Sequence, residues 1–579
     1  MNIPDELQFM LDGNIGPTKQ KAARLVVDLA VTARVNEFIR VDNAHVSGVS
    51  VITGGHGLRR FLKDISNDPD GQVTIPTTLN SAGCDSEKIE EMNIDYPDFL
   101  EQQFEIIESY SKLGIDAILS CTPYDKDTET LSGIGSWAES NAVCFSNSYT
   151  SLTTNRESGL SALATAITGW APKWGLHIQK NLLPNILVDV KCEMNDPTDW
   201  SILGDWIGKN INPSWNLPWG PMPQIVGLSG ANFEKKKALT ASAANYGCPI
   251  LWIDGITNIP PSNKYEGQLI FDKSDLESRY SELSPIGQVD LVVIGCPQAS
   301  VGEARATAAA VRTQMELGNR IPDNRLWLFM SGQNYLSIEA DGTLELLEEA
   351  GALVLKDTCP EVTPYNREKY NHLLTNSLKA EHYLTSGLNN MPTSVSKIQD
   401  CVAHAFNPSL SKGPRPELHS KKPKQIISTK IAKYGNFQSQ GKGIPSQNHW
   451  TLSGKALVTD IPITYLGYVN RDSGVIEEPG HPLDGKSISD TILIYPKGSG
   501  STVAPFVLMG LIYTNKGPKA IINRDVCPLT LPAVSLLDVP YAHNFETDPT
   551  MEINTGDDIT MSLKDGEVTI SVISRVTEV

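Results

Sequence analysis

Apolar and polar positions alternate with two different periods along this chain, and the changes of period predict its elements. Residues 17–36 (PTKQKAARLVVDLAVTARVN) place apolar side chains at helical spacing after a Gly-Pro start, which predicts an amphipathic helix. Short β-branched runs then alternate with helical segments, a pattern typical of βα units around mostly parallel sheets. The predicted strands lie at residues 117–121, 185–190, 224–228, 249–253, 290–295, 325–330 and 352–355, with helices that include 301–317 and 343–350.

The pattern lapses between residues 407 and 447, where Pro, Lys, Gly and Ser dominate (GPRPELHSKKPKQ, GNFQSQGKGIPSQ). This composition is typical of an exposed connection. We therefore predict a large α/β region at 1–406, a linker at 407–447 and a smaller domain at 448–579. The linker contains a cationic cluster, which we interpret as solvated and without function: Lys421, Lys422 and Lys424.

The last segment is predicted to be β-rich because its short apolar runs are separated by Gly, Pro, Asp and Asn turns. Its central feature is ISDTILIYPKGSGST, an apolar strand that runs into a Gly-Ser turn. The following APFVLMGLIYTN is almost entirely apolar and predicts a buried helix.

Composition and charge exclude several classes of protein. The 579 residues suffice for roughly three or four compact units. A hydrophobic fraction of 40% and a charged fraction of 20% are typical of a folded globular protein. The formal net charge of −19 opposes binding to a polyphosphate backbone, so we expect no nucleic acid partner.

The start of the chain and its cysteines predict the compartment. MNIPDELQFMLDG lacks a basic segment followed by an apolar one, and no stretch approaches the ~20 apolar residues of a membrane span. We therefore expect a cytoplasmic protein that does not bind a membrane. Nine cysteines without paired spacing do not resemble a secreted disulfide framework, so most are predicted to be reduced.

Three cysteines share one local setting. Cys121 follows DAILS, Cys296 follows LVVIG and Cys359 follows LVLKDT, and a proline comes one or two residues after each. Because proline lacks an N–H and stops a strand ladder, each thiol is predicted to lie on a loop at a strand end. The carboxyl ends of strands line the ligand crevice of an open α/β sheet, so these three thiols can converge.

Converging thiolates would suit an iron–sulfur cluster or zinc, and three of them leave one coordination position open. An open iron is a Lewis acid that binds a hydroxyl and weakens its C–O bond, which is the chemistry of a dehydratase. Packing is the alternative, since free cysteine is among the most buried residue types. Cys192 and Cys527 share part of the setting. The other cysteines lack it: Cys84, Cys144, Cys248 and Cys401.

Longer motifs are similar to those of the aconitase X family. The segments CTPY, GCP and DTCP match the cluster-binding cysteines of that family, at Cys121, Cys296 and Cys359. Further matches are VTIPTTLNSAGCD at 73–85, ESNAVCFSNSYTSLTTNRESG at 139–159 and TNSLKAEHY at 375–383. The tail resembles the small swivelling domain of the family through GKALVTDIPITYLGYVNRDSGVI, HPLDGKSI and YPKGSGST. The two parts, which can be separate subunits, thus occur in one polypeptide.

This resemblance implies a fold, a cofactor and a reaction. The fold would be α/β, with an aconitase-like multi-lobed body of mostly parallel sheets and helices and a C-terminal β-rich swivelling domain that closes over the cofactor. The cofactor would be an iron–sulfur cluster, either [4Fe-4S] or smaller, such as [2Fe-2S], or a single iron. The reaction would be removal of water from a small hydroxy acid by a hydro-lyase.

The resemblance also implies site residues. Ser501, in the Gly-Ser turn, occupies the place of the basic serine of the aconitase superfamily, with Ser499 as the rival. A glycine-rich turn can point backbone N–H groups at a serine alkoxide and stabilise it. The residues predicted to bind substrate lie in the matching motifs, with His45 as a further candidate to orient or relay a proton. They are Asn141, Ser148, Asn155, Arg156, Ser377, Lys379 and His45.

The substrate and two interpretations from other classes stay open. The family includes enzymes resembling cis-3-hydroxy-L-proline dehydratase and others resembling mevalonate 5-phosphate dehydratase. The single-chain fusion favours hydroxyproline, whereas a phosphate substrate would demand extra basic anchors. A fourth cysteine ligand would favour a non-catalytic iron or redox sensor, and a structural two-domain protein would contain only packed, reduced cysteines. The sequence leaves the oligomeric state undecided.

Overall fold

Three larger parallel sheets and one closed barrel dominate the described part of the fold. The computed structural model of the chain describes residues 1–125, 128–212, 215–262, 264–386, 388–414, 416, 428–444, 446–499 and 501–576. The cationic cluster Lys421, Lys422 and Lys424 lies outside the described residues. None of the helices in these ranges offers an apolar stretch that would reach across a lipid bilayer.

The first region is built around a four-stranded parallel sheet. Its elements are α1 (Asp5–Leu11), α2 (Pro17–Thr32), β1 (Phe38–Arg40), β2 (Asn43–Val46), α3 (Val51–Ser66), β3 (Thr77–Leu79), α4 (Phe99–Lys112), β4 (Ser132–Trp137), α5 (Ser140–Tyr149), β5 (Ser151–Arg156), α6 (Gly159–Thr168) and β6 (Trp170–Pro172). The sheet order is β3-β2-β4-β5, and β1 pairs with β6 in an antiparallel ribbon. All four carboxyl ends of this sheet therefore lie at one edge.

The second and third regions each add a parallel sheet. The second contains β7 (Ile186–Val190), α7 (Pro197–Lys209), β8 (Pro223–Val226), α8 (Phe233–Ala244), β9 (Trp252–Ile253), β10 (Gly267–Phe271) and α9 (Lys273–Leu283), with sheet order β10-β7-β8-β9. The third contains β11 (Leu291–Ile294), α10 (Val301–Glu316), β12 (Leu326–Met330), α11 (Gly332–Ala340), α12 (Thr343–Glu349), β13 (Leu353–Lys356), β14 (Leu373–Thr375), α13 (Leu378–Thr385), β15 (Thr393–Val395) and α14 (Ile398–Phe406). Its order is β13-β12-β11-β14-β15.

The C-terminal part is a closed, mixed barrel. Its elements are β16 (Gln438–Gly443), β17 (Trp450–Val458), β18 (Ile463–Thr464), β19 (Ile492–Tyr495), β20 (Gly498–Ser499), α15 (Ala504–Tyr513), β21 (Ala520–Asn523), α16 (Leu531–Leu536), β22 (Tyr541–His543), α17 (Pro549–Glu552), β23 (Asp558–Lys564) and β24 (Glu567–Ser574). The barrel order is β16-β22-β21-β19-β17-β23-β24, and β18 and β20 form a separate parallel pair. Four short 3-10 turns complete the regular structure: Gly175–His177, Gln179–Asn181, Pro322–Asn324 and Pro360–Val362.

The predicted α/β class with a β-rich C-terminal part is confirmed, as are most predicted elements. The strand prediction at residues 117–121 is wrong. Only Asp116 makes an isolated parallel bridge, to Thr78, and Leu119 has a positive φ of 47°. A residue in the left-handed region turns the backbone out of a strand. The strand predicted at residues 249–253 is shorter than predicted, since only β9 (Trp252–Ile253) forms.

The barrel begins inside the segment whose composition predicts a linker. β16 pairs with β24 over residues 438–442 of that segment, and its burial alternates with the period of a strand. A run of Gln, Ser and Gly carries no apolar alternation, so its strand character comes from its barrel neighbours. We propose that the C-terminal unit starts near Gln438.

The body and the barrel share one hydrophobic core. α3 packs on α15 and α2 on α16, and the buried core residues run continuously from the first and third regions into the barrel. Gly57 faces Gly510, and a Cβ at Gly57 would lie 2.3 Å from the Gly510 nitrogen. A glycine is therefore required at position 57 for the close crossing of α3 and α15.

A buried carboxylate also crosses this interface. Asp28 Oδ2 accepts hydrogen bonds from Ser446 Oγ at 2.7 Å and from Ser535 Oγ at 2.6 Å. Burial raises the pKa of Asp28 to about 6, and the two hydroxyl donors and Arg24 offset this only in part. The folded protein therefore favours protonated Asp28, and the stability that this group contributes is lost as the pH rises through about 6.

We expect the variant Asp28→Asn to gain stability relative to the parent protein as the pH rises. Since asparagine does not ionise, the difference in unfolding free energy should shift in favour of the variant by up to about 3 kcal/mol between about pH 4 and pH 7. Denaturant unfolding of both proteins at several pH values measures this shift. Parallel stability profiles over that range would contradict it.

Candidate functional site

A cavity of about 570 Å³ lies where the first region, the third region and the barrel meet. The first region contributes loops that follow β2, β3, β4 and β5, including Ser47, Asn80 and Glu139. The carboxyl ends of parallel strands are the usual place for a ligand in such a sheet. The barrel lies over this edge, so side chains of both parts line one cavity.

Three buried thiols converge beside this cavity. The Cys121 and Cys296 thiols both lie near enough to Cys359 to affect its pKa. Cys296 Sγ donates to Glu361 Oε1 at 2.9 Å, and Glu361 lines the cavity. The Cys296 and Cys359 sulfurs and a Glu361 oxygen lie within 4.8 Å of one another, so this group could hold a metal ion.

The chain folds so that different regions deliver these thiols. Cys296 and Cys359 follow β11 and β13 at the carboxyl edge of the third sheet. Cys121 comes from the first region, where Ser120 N donates to the O of Leu79, the last residue of β3. The three thiols therefore meet only once the first and third regions have packed together.

The chemistry of the donor set fits a soft metal group. Burial raises the pKa of the Cys121 thiol well above its ordinary value and that of Cys296 to about 11. Thiols of this kind are poor nucleophiles, whereas a bound metal deprotonates them outright. Thiolates are preferred ligands of iron–sulfur clusters, and Glu361 adds a carboxylate oxygen beside them.

Lys379 is held between two carboxylates at the cavity wall. Its Nζ lies 3.0 Å from Glu139 Oε1 and 3.3 Å from Glu361 Oε1, and the side chain is 2% exposed. Burial acts to lower the pKa of Lys379, but both carboxylates more than offset this and hold the pKa well above its ordinary value. The ammonium is therefore charged and fixed in position.

Arg156 provides a second cation, at the end of β5. Its side chain lines the cavity, and its Nε is buried without a hydrogen-bond partner. Within the described residues the guanidinium makes neither an ion pair nor a hydrogen bond. A guanidinium fork in this position can bind a carboxylate through two parallel hydrogen bonds.

Both candidate serines reach the cavity from the barrel. Ser499 Oγ bonds Thr464 Oγ1 at 2.6 Å, whereas Ser501 Oγ accepts the Val503 N–H at 3.4 Å. Ser501 also lies just before α15, whose N-terminal N–H groups favour negative charge. The surroundings of Ser501 thus favour its alkoxide more than those of Ser499.

The other residues predicted to bind substrate lie behind the cavity wall or away from it. Asn141 Nδ2 donates to Cys121 O at 3.2 Å, and Ser377 Oγ caps α13 through Ala380 N. Asn155 Oδ1 accepts from Leu176 N at 2.7 Å, which fixes the turn at Gly175–His177. We therefore propose supporting roles for these three.

Ser148 and His45 are likewise engaged within the protein. Ser148 Oγ donates to Cys144 O and accepts from Leu251 N, beside a separate polar cleft. His45 Nδ1 lies 2.8 Å from Thr78 Oγ1, and burial lowers the pKa of His45 to about 4. A histidine that is neutral at pH 7 and lies outside the cavity lining does not contact the substrate space.

Sequence reasoning missed the carboxylates and one amide of the site. Glu139 begins the quoted motif ESNAVC, and Glu361 directly follows the Cys-Pro of DTCP. A search for acidic residues next to the cysteine loops would have found Glu361. Glu478 from the barrel lines the same cavity, and the Gln298 N–H donates to the Cys121 sulfur. Their sequence neighbours give no sign of these contacts.

Comparison with known proteins identifies the family. Residues 1–180 match the aconitase X first domain, residues 289–407 its third domain and residues 445–570 its swivel domain. These matches cover well over half of the chain and include all three thiols and Ser501. The chain belongs to the aconitase X family. The predicted family membership and the joining of both family parts in one polypeptide are thereby confirmed.

Solved and curated aconitase X proteins agree with this assignment. The holo-form crystal structure of Thermococcus kodakaraensis aconitase X superposes with a TM-score of 0.63 at 28% identity, covering 69% of this chain and 99% of that chain. The phosphomevalonate dehydratase large subunit of Methanosarcina mazei is 30% identical over 395 residues, 66% of this chain and 92% of that protein.

Two further relatives bear on the substrate and on the fusion. The cis-3-hydroxy-L-proline dehydratase of Pseudomonas aeruginosa is 29% identical over 420 residues, 69% of each chain. The phosphomevalonate dehydratase small subunit of Pyrococcus horikoshii is 33% identical over 131 residues, 23% of this chain and 93% of that protein. These relatives are dehydratases, and this aconitase X chain is a hydro-lyase, as predicted.

Proposed function

We propose that this aconitase X chain is an iron-dependent dehydratase of cis-3-hydroxy-L-proline, with an iron–sulfur cluster on Cys121, Cys296 and Cys359. The observation that carries the proposal is the juxtaposition of these thiols with a cavity that contains both cations and carboxylates. A fourth cysteine, as a closed redox centre would need, is absent from this cluster in the described residues. This favours an enzyme over a sensor.

The charges around the cavity favour a zwitterionic substrate. Lys379 lies between the carboxylates of Glu139 and Glu361 at the cavity wall. Arg156 and Glu478 line the same cavity. Cis-3-hydroxy-L-proline carries one carboxylate and one secondary ammonium at neutral pH, which this mixture of charges can balance. Mevalonate 5-phosphate carries a carboxylate and a phosphate of about −1.5 to −2, for which the described lining offers no further lysine or arginine.

The length of the relatives supports the same substrate. The 395 residues aligned with the Methanosarcina large subunit make up 92% of that protein, so it ends near the start of the barrel part. The 420 residues aligned with the Pseudomonas enzyme are only 69% of that protein, so that enzyme is long enough to include both parts. We propose that this chain combines in one polypeptide what the archaeal enzymes divide between two subunits.

The charged residues of the cavity and Ser501 then have proposed roles in the removal of water. Arg156 binds the substrate carboxylate, and Glu478 pairs with the ring ammonium. Ser501, as the alkoxide, takes the proton from C2, and the C3–O bond breaks with loss of hydroxide. The enamine that forms tautomerises to a pyrroline carboxylate. Lys379 stays charged between Glu139 and Glu361 and stabilises negative charge that develops at the carboxylate.

Iron bound to the three thiolates would supply a Lewis acid that assists departure of the hydroxyl group. We propose that closure of the barrel over the carboxyl edge of the first sheet excludes water during the reaction. Exclusion of water strengthens the ion pairs inside the cavity.

The proposal is tested by an assay of anaerobically purified, iron-loaded protein with both candidate substrates. We expect cis-3-hydroxy-L-proline to give a pyrroline, with kcat/KM at least about 100-fold above that for mevalonate 5-phosphate, because buried charges reject an ill-matched ligand. Glu478→Gln should raise KM for hydroxyproline about 10- to 100-fold with a smaller change in kcat, through loss of a charged hydrogen bond. Preferred turnover of mevalonate 5-phosphate would refute the assignment.

A further inference from the structure

One buried amide connects the loops that carry the cysteines. Gln298 is 0% exposed and lies two residues after Cys296. Its Oε1 accepts the Cys121 N–H at 3.1 Å, and its own backbone N–H donates to Cys121 Sγ at 3.3 Å. Its Nε2 also donates to Leu119 O at 3.2 Å, in the same loop. Both the backbone and the side-chain amide of Gln298 therefore bond the Cys296 loop to the Cys121 loop.

The same Nε2 group reaches the third loop. It donates to Thr358 O at 3.0 Å, directly before Cys359, and to Met330 O at 3.3 Å, at the end of β12. Two amide hydrogens are thus shared among three carbonyl groups. One side chain therefore contacts the loops of all three thiols, which come from separate parts of the fold.

The Gln298 backbone is in turn fixed by a buried ion pair. Lys237 Nζ donates to Gln298 O at 2.7 Å and to Pro297 O at 3.3 Å, and it pairs with Glu303. Lys237 lies on α8 of the second region and is 1% exposed. An anchored backbone leaves the Gln298 side chain little freedom to move away from the cysteine loops.

We infer that Gln298 is a positioning residue that sets the spacing of the three cysteine loops and thereby how firmly the chain retains iron. This inference rests on the proposed iron site. Cysteine ligands that are already in position bind a metal more tightly. Loss of hydrogen bonds that hold metal ligands in place typically weakens metal binding 10- to 100-fold. The backbone N–H on Cys121 Sγ adds a donor that stabilises a thiolate there.

Gln298→Met tests this role, because methionine keeps the length and buried volume but cannot donate to the three carbonyls. We expect anaerobically reconstituted Gln298→Met to release iron to a chelator about 10- to 100-fold faster than the parent protein, with an altered visible circular dichroism spectrum. Gln298→Glu keeps the acceptor for the Cys121 N–H but lacks the amide donors. It should also release iron faster.

Gln103→Met provides the matched control. Gln103 is 2% exposed, donates to Val49 O at 2.9 Å and accepts from Gly83 N at 3.0 Å, and none of its hydrogen bonds goes to the loops of Cys121, Cys296 or Cys359 in the described residues. We expect it to lower the thermal unfolding midpoint of protein not yet loaded with iron by as much as Gln298→Met, while iron release stays at the parent rate.

The outcomes separate this inference from the proposed function. If the parent protein retains iron and both Gln298 variants release it no faster than Gln103→Met, Gln298 has only a general packing role and the inference is overturned. If the parent protein itself takes up no iron after reconstitution, the proposed iron site fails, and the inference fails with it.

Discussion

Cys296→Ala is expected to remove bound iron and to reduce dehydration by at least about a thousandfold. The Cys296 thiol lies near enough to Cys359 to affect the Cys359 pKa and bonds Glu361, so its loss removes one of three sulfur donors and alters the carboxylate beside the cavity. Without Lewis-acid assistance the hydroxyl is a poor leaving group. Iron and sulfide assays on anaerobically purified protein, together with turnover of cis-3-hydroxy-L-proline, measure both effects.

Cys401→Ala is the control for this experiment. Cys401 is also fully buried, but its Sγ donates to Ser396 O at 3.3 Å on the far face of the third sheet. The variant should lose stability through a small cavity and keep iron content and turnover per folded molecule. Full activity of Cys296→Ala without iron would show that the reaction does not use these thiols.

Ser501→Ala is expected to lower kcat by about 10²- to 10⁴-fold while iron content stays unchanged. Alanine removes the proposed base. In the described part of the chain the Ser501 hydroxyl accepts only the Val503 N–H, at 3.4 Å, so the rest of the cavity should remain in place. Steady-state kinetics combined with an iron assay on the same sample separates loss of the base from loss of the metal.

Ser499→Ala distinguishes the two serines. It removes the short bond to Thr464 and should cost about 1 kcal/mol of stability, with less than about a tenfold fall in kcat. A large loss of kcat in Ser499→Ala and a small one in Ser501→Ala would move the base to Ser499. Equal small losses would remove both serines from the mechanism.

The cysteine loops show which structural features the local sequence predicts and which it does not. Each proline next to a cysteine predicts a thiol on a loop, because proline cannot continue a strand, and this holds for Cys121, Cys296 and Cys359. The strand predicted before Cys121 does not form, although its residues are apolar. Leu119 turns the backbone there, and nothing in its side chain predicts a left-handed conformation.

The substrate motifs show a different limit. They include Arg156 and Lys379, which line the cavity, but they do not separate these residues from others that lie behind the cavity wall. Arg156 and Asn155 are neighbours on β5, and only Arg156 lines the cavity. Successive residues of a strand point to opposite faces, so which of the two faces the ligand depends on the register of the sheet.

The sequence by itself determined the alternating elements, the β-rich C-terminal part, the family and the three candidate thiols, because periodicity and motif content are local properties of the chain. Only the tertiary structure decided that Glu361, Glu139 and Glu478 share a cavity with Lys379 and Arg156, and that Gln298 connects three distant loops. Contacts between residues far apart in sequence depend on how separate sheets pack, and charge balance in a buried site follows from that packing.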